Sequence, residues 1–120
     1  MATLEILRHE PDIRTCAPGE TIFEAGDAAD CMYAVVEGGV EIHVDGRVVE
    51  RLAPGGVFGE MALIDAAPRS ATAVAASGEA ATRLAVISEK RFLRLVSQTP
   101  QFAIQVMRLL TERLRRQDRG

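Results

Sequence analysis

Glycine-bearing turns cut residues 13–87 into short apolar and β-branched runs, and this rhythm constrains the fold more than any other feature of the chain. Pro18-Gly19, Gly26-Asp27, Gly38-Gly39, Asp45-Gly46 and Pro54-Gly55-Gly56 punctuate candidate strands at Ile13–Cys16, Thr21–Glu24, Met32–Glu37, Val40–Val44, Val48–Leu52, Ala71–Ala76 and Thr82–Ile87. Several strands this short, at this spacing, predict an all-β barrel or sandwich. Asp45-Gly46 is the firmest hairpin signal, because a two-residue type I′ turn needs φ > 0 at both central positions.

After Ser88 the period changes. Ser88 and Glu89 suit a helix start, and Phe92, Leu93, Leu95 and Val96 follow at helical spacing. Thr99-Pro100 breaks this helix, and Pro100 fits the first turn of a second one with Thr99 as its cap. Ala103, Val106, Met107, Leu110 and Leu114 recur at three- and four-residue steps, a stripe expected to be buried. Leu4–Leu7 reads as one helical turn ahead of Pro11. The expectation is one domain over residues 1–120, mainly β, with helices at both ends.

Composition excludes several classes. With 120 residues, 48% hydrophobic and 26% charged, the chain is that of an ordinary soluble globular domain. Its apolar runs fall far short of the roughly 20 residues of a membrane span, and its start lacks a secretory signal. Cys16, Cys31, His9 and His43 form neither a disulfide framework nor a metal motif, so a reduced, cytoplasmic protein without metal is expected. A net charge of −3 argues against nucleic acid as a partner, although five arginines lie between Arg108 and Arg119. No serine or cysteine stands in a nucleophile motif, so no enzyme activity is expected.

The chemistry concentrates between Gly55 and Thr72. A glycine-rich turn leads into a helical patch, Glu60 to Ile64, and then to a loop ending in Pro68-Arg69. Glycines permit close backbone approach, and free N–H groups at a helix start favour an anion. Arg69 can return on the loop and hold that anion through its planar fork. Glu60 would repel a phosphate but accept from a hydroxyl on the same ligand. The alternative, a surface ion pair between Glu60 and Arg69, would stabilise little.

Phe58-Gly59-Glu60-Met61-Ala62-Leu63 followed by Pro68-Arg69-Ser70-Ala71-Thr72 resembles the phosphate-binding cassette of the cyclic nucleotide-binding domain family. The glycine-turned strands upstream and the two helical segments downstream are similar to that family as well, so the likeness runs from about Ile13 to Leu114. The resemblance implies an eight-stranded antiparallel β-roll, jelly-roll-like, with a short N-terminal helix, a cassette helix and two C-terminal helices. It implies a site made of Phe58, Gly59, Glu60, Met61, Ala62, Arg69, Ser70 and Ala71. Glu60 would accept the ribose 2′-hydroxyl, Arg69 would pair with the cyclic phosphate, and backbone N–H groups near Gly59, Met61, Ala62 and Ser70-Ala71 would complete the cradle. Ser70 bears on the base: some relatives with a hydroxyl here favour cyclic GMP, whereas the catabolite activator type has a serine and prefers cyclic AMP. Cyclic AMP is the expected ligand, with cyclic GMP weaker.

In the family the last helix docks over the base or releases from the roll. Arg113 on that helix is the candidate for stacking over the purine, against the alternative that it is merely solvated. Family members that act as transcription factors, kinase subunits or channels carry an effector; here Met-Ala-Thr at the start and Gln117-Asp118-Arg119-Gly120 at the end favour a complete small protein. The expectation is a non-catalytic sensor, monomer or weak homodimer, acting on an effector protein. The competing readings are a nucleotide-independent interaction protein on the same roll and the excised sensor of a longer regulator. Cys16 and Cys31 are expected to be buried thiols.

Overall fold

The structure is a computed structural model and describes Leu7 and residues 9–65, 67–78 and 80–119, the last four without side-chain detail. The strands are β1 (Ile13–Cys16), β2 (Thr21–Phe23), β3 (Cys31–Glu37), β4 (Val40–Val44), β5 (Arg47–Leu52), β6 (Val57–Phe58), β7 (Thr72–Ala75) and β8 (Thr82–Ser88). The helices are α1 (Met61–Ile64), α2 (Glu89–Gln98) and α3 (Gln101–Arg119). The eight strands form two antiparallel four-stranded sheets, β1-β8-β3-β6 and β2-β7-β4-β5. The mainly β roll expected from the sequence is therefore the fold, with helices packed outside it. The expected turn at Leu4–Leu7 lies outside the described residues except for Leu7, which is fully buried.

β3 is the spine. Its run Cys-Met-Tyr-Ala-Val-Val is buried at every position because both of its faces are covered. Cys31, Tyr33 and Val35 point between the sheets with Ile22, Val40, Phe58 and Ala73. Met32, Ala34 and Val36 point the other way, onto Leu95, Phe102 and Val106 of the helices. Alternation of side chains across the pleat thus divides one apolar run between two cores.

Asp45 (φ 52°) and Gly46 (φ 76°) both occupy the left-handed region, as the β4–β5 hairpin requires. Val57–Phe58 forms an eighth strand that the glycine-rich reading of residues 55–59 passed over; it pairs with Tyr33 and Ala34. Ser88 caps α2 by accepting from the Arg91 N–H at 3.1 Å. α3 begins at Gln101, directly after Pro100; Thr99 is the C-terminal cap of α2, and its carbonyl accepts from the Phe102 N–H at 2.9 Å where α3 opens.

The stripe expected on α3 needs correction. Met107 and Leu114 are 53% and 61% exposed, and the buried line runs through Phe102 and Val106 to the half-buried Leu109, Leu110 and Arg113. The helix is rotated because Phe102, fully buried against Phe92 at 5.6 Å between ring centroids, anchors its first turn. A large aromatic buries more apolar surface than Ala103 or Met107 and sets which face turns inward.

Candidate functional site

The cassette begins where β6 leaves the first sheet. Gly59 follows Phe58 at φ 76°, and a Cβ there would lie 2.7 Å from Nη1 of Arg69. Glycine is required twice over, by the left-handed backbone and by the guanidinium packed against it. Glu60 then caps α1 without a side-chain bond to it. α1 is a single turn of four residues rather than a helix with a developed dipole. The Ala62 N–H donates to the Gly59 carbonyl at 3.3 Å and the Leu63 N–H to the Glu60 carbonyl at 3.0 Å. The resemblance assigned the Ala62 N–H to a ligand; the turn itself engages it.

Arg69 returns to the same place along a different route. Its backbone is fixed by two hydrogen bonds to the β2–β3 turn, donating to the Asp27 carbonyl at 2.9 Å and accepting from the Gly26 N–H at 2.7 Å. Its side chain donates to the carbonyls of Gly59 at 3.1 Å and Cys31 at 2.8 Å. Beneath it lies an aromatic floor: the guanidinium carbon sits 4.2 Å from the Phe23 ring centroid and 5.7 Å from that of Tyr33. Phe58 stacks on Tyr33 at 5.3 Å. Burial pushes the Tyr33 phenol above its ordinary pKa range. Arg69 is only 8% exposed, yet its Nε–H is buried without an acceptor. A buried donor left unpaired costs about 1–3 kcal/mol, which an anionic acceptor would recover.

Glu60, also 8% exposed, belongs to a different network, so the surface ion pair with Arg69 is not what forms. Its Oε1 accepts from Nη1 of Arg113 at 2.5 Å. Arg113 reaches from α3, donates through Nη2 to the Val57 carbonyl at 2.7 Å, and brings Nε to 3.2 Å from Oε1 of Glu50. That last contact is a close ion pair without hydrogen-bond alignment, since Nε has no aligned acceptor. The side chains of Arg113, Glu50 and Glu60 are 20%, 21% and 10% exposed. Arg113 is therefore not solvated; it fastens the last helix to the cassette.

These groups line one cavity of about 630 Å³. Glu50, Glu60, Arg69, Ser70 and Arg113 supply its polar side chains, two carboxylates against two guanidiniums and a hydroxyl. Phe23, Phe58, Val49, Ile64, Leu110 and Leu114 supply apolar wall. The size falls in the usual range for small-molecule sites. Phe58, Gly59, Glu60, Met61, Ala62, Arg69, Ser70, Ala71 and Arg113, all singled out from the sequence, border it together.

Residues 13–99 match the cyclic nucleotide-binding domain. The chain belongs to that family. It is 37% identical over 105 residues to the cyclic AMP receptor protein of Thermus thermophilus, covering 83% of this chain and 47% of that protein. The crystal structure of the Thermus thermophilus catabolite activator protein superposes with a TM-score of 0.79 at 33% identity, covering 98% of this chain and 56% of that one. The EAL enzyme Bd1971, solved in cyclic AMP-bound and cyclic GMP-bound forms, is 35% identical with TM-scores of 0.61 and 0.62. Those matches cover 87% and 90% of this chain but 28% and 29% of that enzyme. The chain thus spans about half the length of its Thermus relative and less of the other.

Sequence reasoning missed Glu50, the carbonyls of Cys31 and Val57, and the role of Phe23. Only Glu50 left a signal: alternation along β5 puts a carboxylate on the same face as Leu52, opposite Ile42 of β4. Backbone acceptors carry no residue-type signature, and Phe23 looked like any core aromatic.

Proposed function

We propose that this domain is a non-catalytic sensor that binds a cyclic purine nucleotide, cyclic AMP in preference to cyclic GMP, and relays occupancy through α3. The observation that carries the reading is Arg69: a buried guanidinium on an aromatic floor, beside the cavity, with a donor still unmatched. The cyclic phosphate supplies the missing anionic acceptor, and charge-assisted bonds to a fixed fork are the strong kind. Glu60 takes the ribose 2′-hydroxyl on Oε2 while Arg113 keeps Oε1. The purine then lies toward β4, β5 and the Leu110–Leu114 side of α3.

Arg113 gives the relay its physical link. A ligand shifts a helix only through differential contact with its two positions. The carboxylate that reads the sugar is the one that holds α3. That Bd1971 has been solved with each nucleotide supports keeping cyclic GMP as a second ligand. The proposal includes a cytoplasmic setting, an effector protein as partner, and a monomer or weak homodimer, α3 leaving Ile104 and Met107 exposed.

Calorimetric titration with cyclic AMP and cyclic GMP tests it. Arg69→Ala should weaken cyclic AMP by on the order of 2–5 kcal/mol, as for other truncated charge pairs. Arg69→Lys should recover only part, because an ammonium cannot hold the two carbonyls and a phosphate in one plane. Equal affinity for the parent and Arg69→Ala would remove the phosphate from Arg69.

A further inference from the structure

We infer that Glu50 is a positioning residue for α3: it holds Arg113, and through it the helix, against the roll from a strand other than the one that leads to the sugar-reading Glu60. Arg113 is the meeting point of three elements. Nη1 goes to Glu60 at the head of α1, Nη2 to the Val57 carbonyl on β6, and Nε lies against Glu50 on β5. β6 belongs to one sheet and β5 to the other, so Glu50 is the contact that ties Arg113 to the second sheet. The contact is largely shielded from solvent, where an ion pair is screened little.

The two carboxylates differ in what else is asked of them. Glu60 sits in the cassette, where a ribose hydroxyl would share its charge and weaken its hold on the guanidinium. Glu50 stands on the opposite wall, on a strand outside the cassette. One guanidinium between two carboxylates can lean on either, so drawing charge from Glu60 passes Arg113 toward Glu50 rather than releasing it. α3 then stays docked while its terminal contacts rearrange. Removing Glu50 leaves Glu60 as the one charged anchor of Arg113 among the described residues, and the position of the helix becomes tied to the state of the sugar site.

The inference deepens the proposed relay and rests on it for the effect of nucleotide, but its first test needs none. Hydrogen exchange is followed over residues 101–114 in the full chain for the parent, Glu50→Gln, Arg113→Gln and the double variant, with and without cyclic AMP. Without nucleotide, Glu50→Gln should raise exchange in this segment by a factor of roughly 5 to 30, the range that corresponds to losing one good anchor. Exchange in β3 and β8 should stay at the parent level. The double variant should exceed Arg113→Gln by less than about twofold, since both substitutions break one contact.

With saturating cyclic AMP, the protection change in Glu50→Gln should exceed that of the parent. Its calorimetric Kd should tighten, by no more than the factor by which exchange rose, because a nucleotide that loosens the hold of Glu60 on Arg113 binds better where the helix is already loosened. Glu50→Asp, which keeps the charge on a shorter arm, should fall between. Parent-like exchange in Glu50→Gln, a rise spread equally over the whole chain, or additive loss in the double variant would each overturn the assignment. If the parent takes up no cyclic AMP, the nucleotide reading falls, while the nucleotide-free comparison still decides whether Glu50 holds α3.

Discussion

Replacing Gly59 by alanine separates the cost of backbone strain from the cost of displacing Arg69, because the molecule contains its own control. Gly59 and Gly46 share a φ of 76°, yet a Cβ on Gly46 meets nothing within 4 Å. Alanine at either position carries a left-handed penalty of about 1–2 kcal/mol. Both gain the same small entropic benefit from a stiffer unfolded chain, about 0.4–1 kcal/mol, so it cancels in the comparison. At Gly59 the new methyl would also stand 2.7 Å from Nη1 of Arg69, whose guanidinium cannot simply swing away. It is held by the Gly59 and Cys31 carbonyls and lies on the Phe23 ring. Forcing a methyl into such packing costs about 1–3 kcal/mol more. For a chain of this size that difference corresponds to roughly 5–15 °C in Tm. Thermal unfolding by circular dichroism should therefore place Gly59→Ala below Gly46→Ala by that margin. Cyclic AMP titration should show the same split: Gly46→Ala keeps the parent Kd, and Gly59→Ala loses at least about tenfold, the equivalent of one displaced charge-assisted bond. Matching Tm and Kd values for the two variants would refute the claim that Gly59 exists to seat Arg69.

Glu60→Gln should weaken cyclic AMP but cost a 2′-deoxy analogue far less, and calorimetry on the four combinations should show strong non-additivity; additive losses would remove Glu60 from the sugar. Ser70→Ala should weaken cyclic GMP selectively in competition titrations, and equal loss for both nucleotides would end its base-reading role. Burial pushes the Cys16 thiol above its ordinary range, as it does the Tyr33 phenol. The unfolded thiol ionises first, so this stabilising contribution is whole below about pH 8.5 and is lost as pH rises beyond it. Denaturant titrations from pH 7 to 10 should show a steeper alkaline loss for the parent than for Cys16→Ala; parallel curves would show that the thiol plays no part.

The sequence by itself determined the strand rhythm, the I′ hairpin at Asp45-Gly46, the Ser88 cap and the cassette, because each depends on residues close together in the chain. Local sterics decide where a glycine is needed, and pleat alternation decides that β3 faces two cores. The cassette was legible for the same reason: Gly59, Glu60 and Arg69 lie within one short stretch of chain, and their types announce close approach, an acceptor and a fork. Two elements slipped through at the margin of that logic. Val57–Phe58 is too short to show a period, and α3 offered two apolar faces between which its sequence could not choose. Phe102, buried against Phe92 of the preceding helix, made that choice in three dimensions.

Only the tertiary structure decided what Glu60 and Arg69 do to each other and to the rest of the molecule. They look like an ion pair on paper, yet each has a separate set of partners brought from far along the chain. Arg69 is pinned by Cys31, 38 residues away, and Glu60 is held by Arg113, 53 residues away. Glu50 reaches the same guanidinium from the opposite sheet. Such meetings depend on how two sheets and a helix close around a cavity. Charged side chains at those distances in sequence find partners only after apolar burial has fixed the frame, so no local pattern records them.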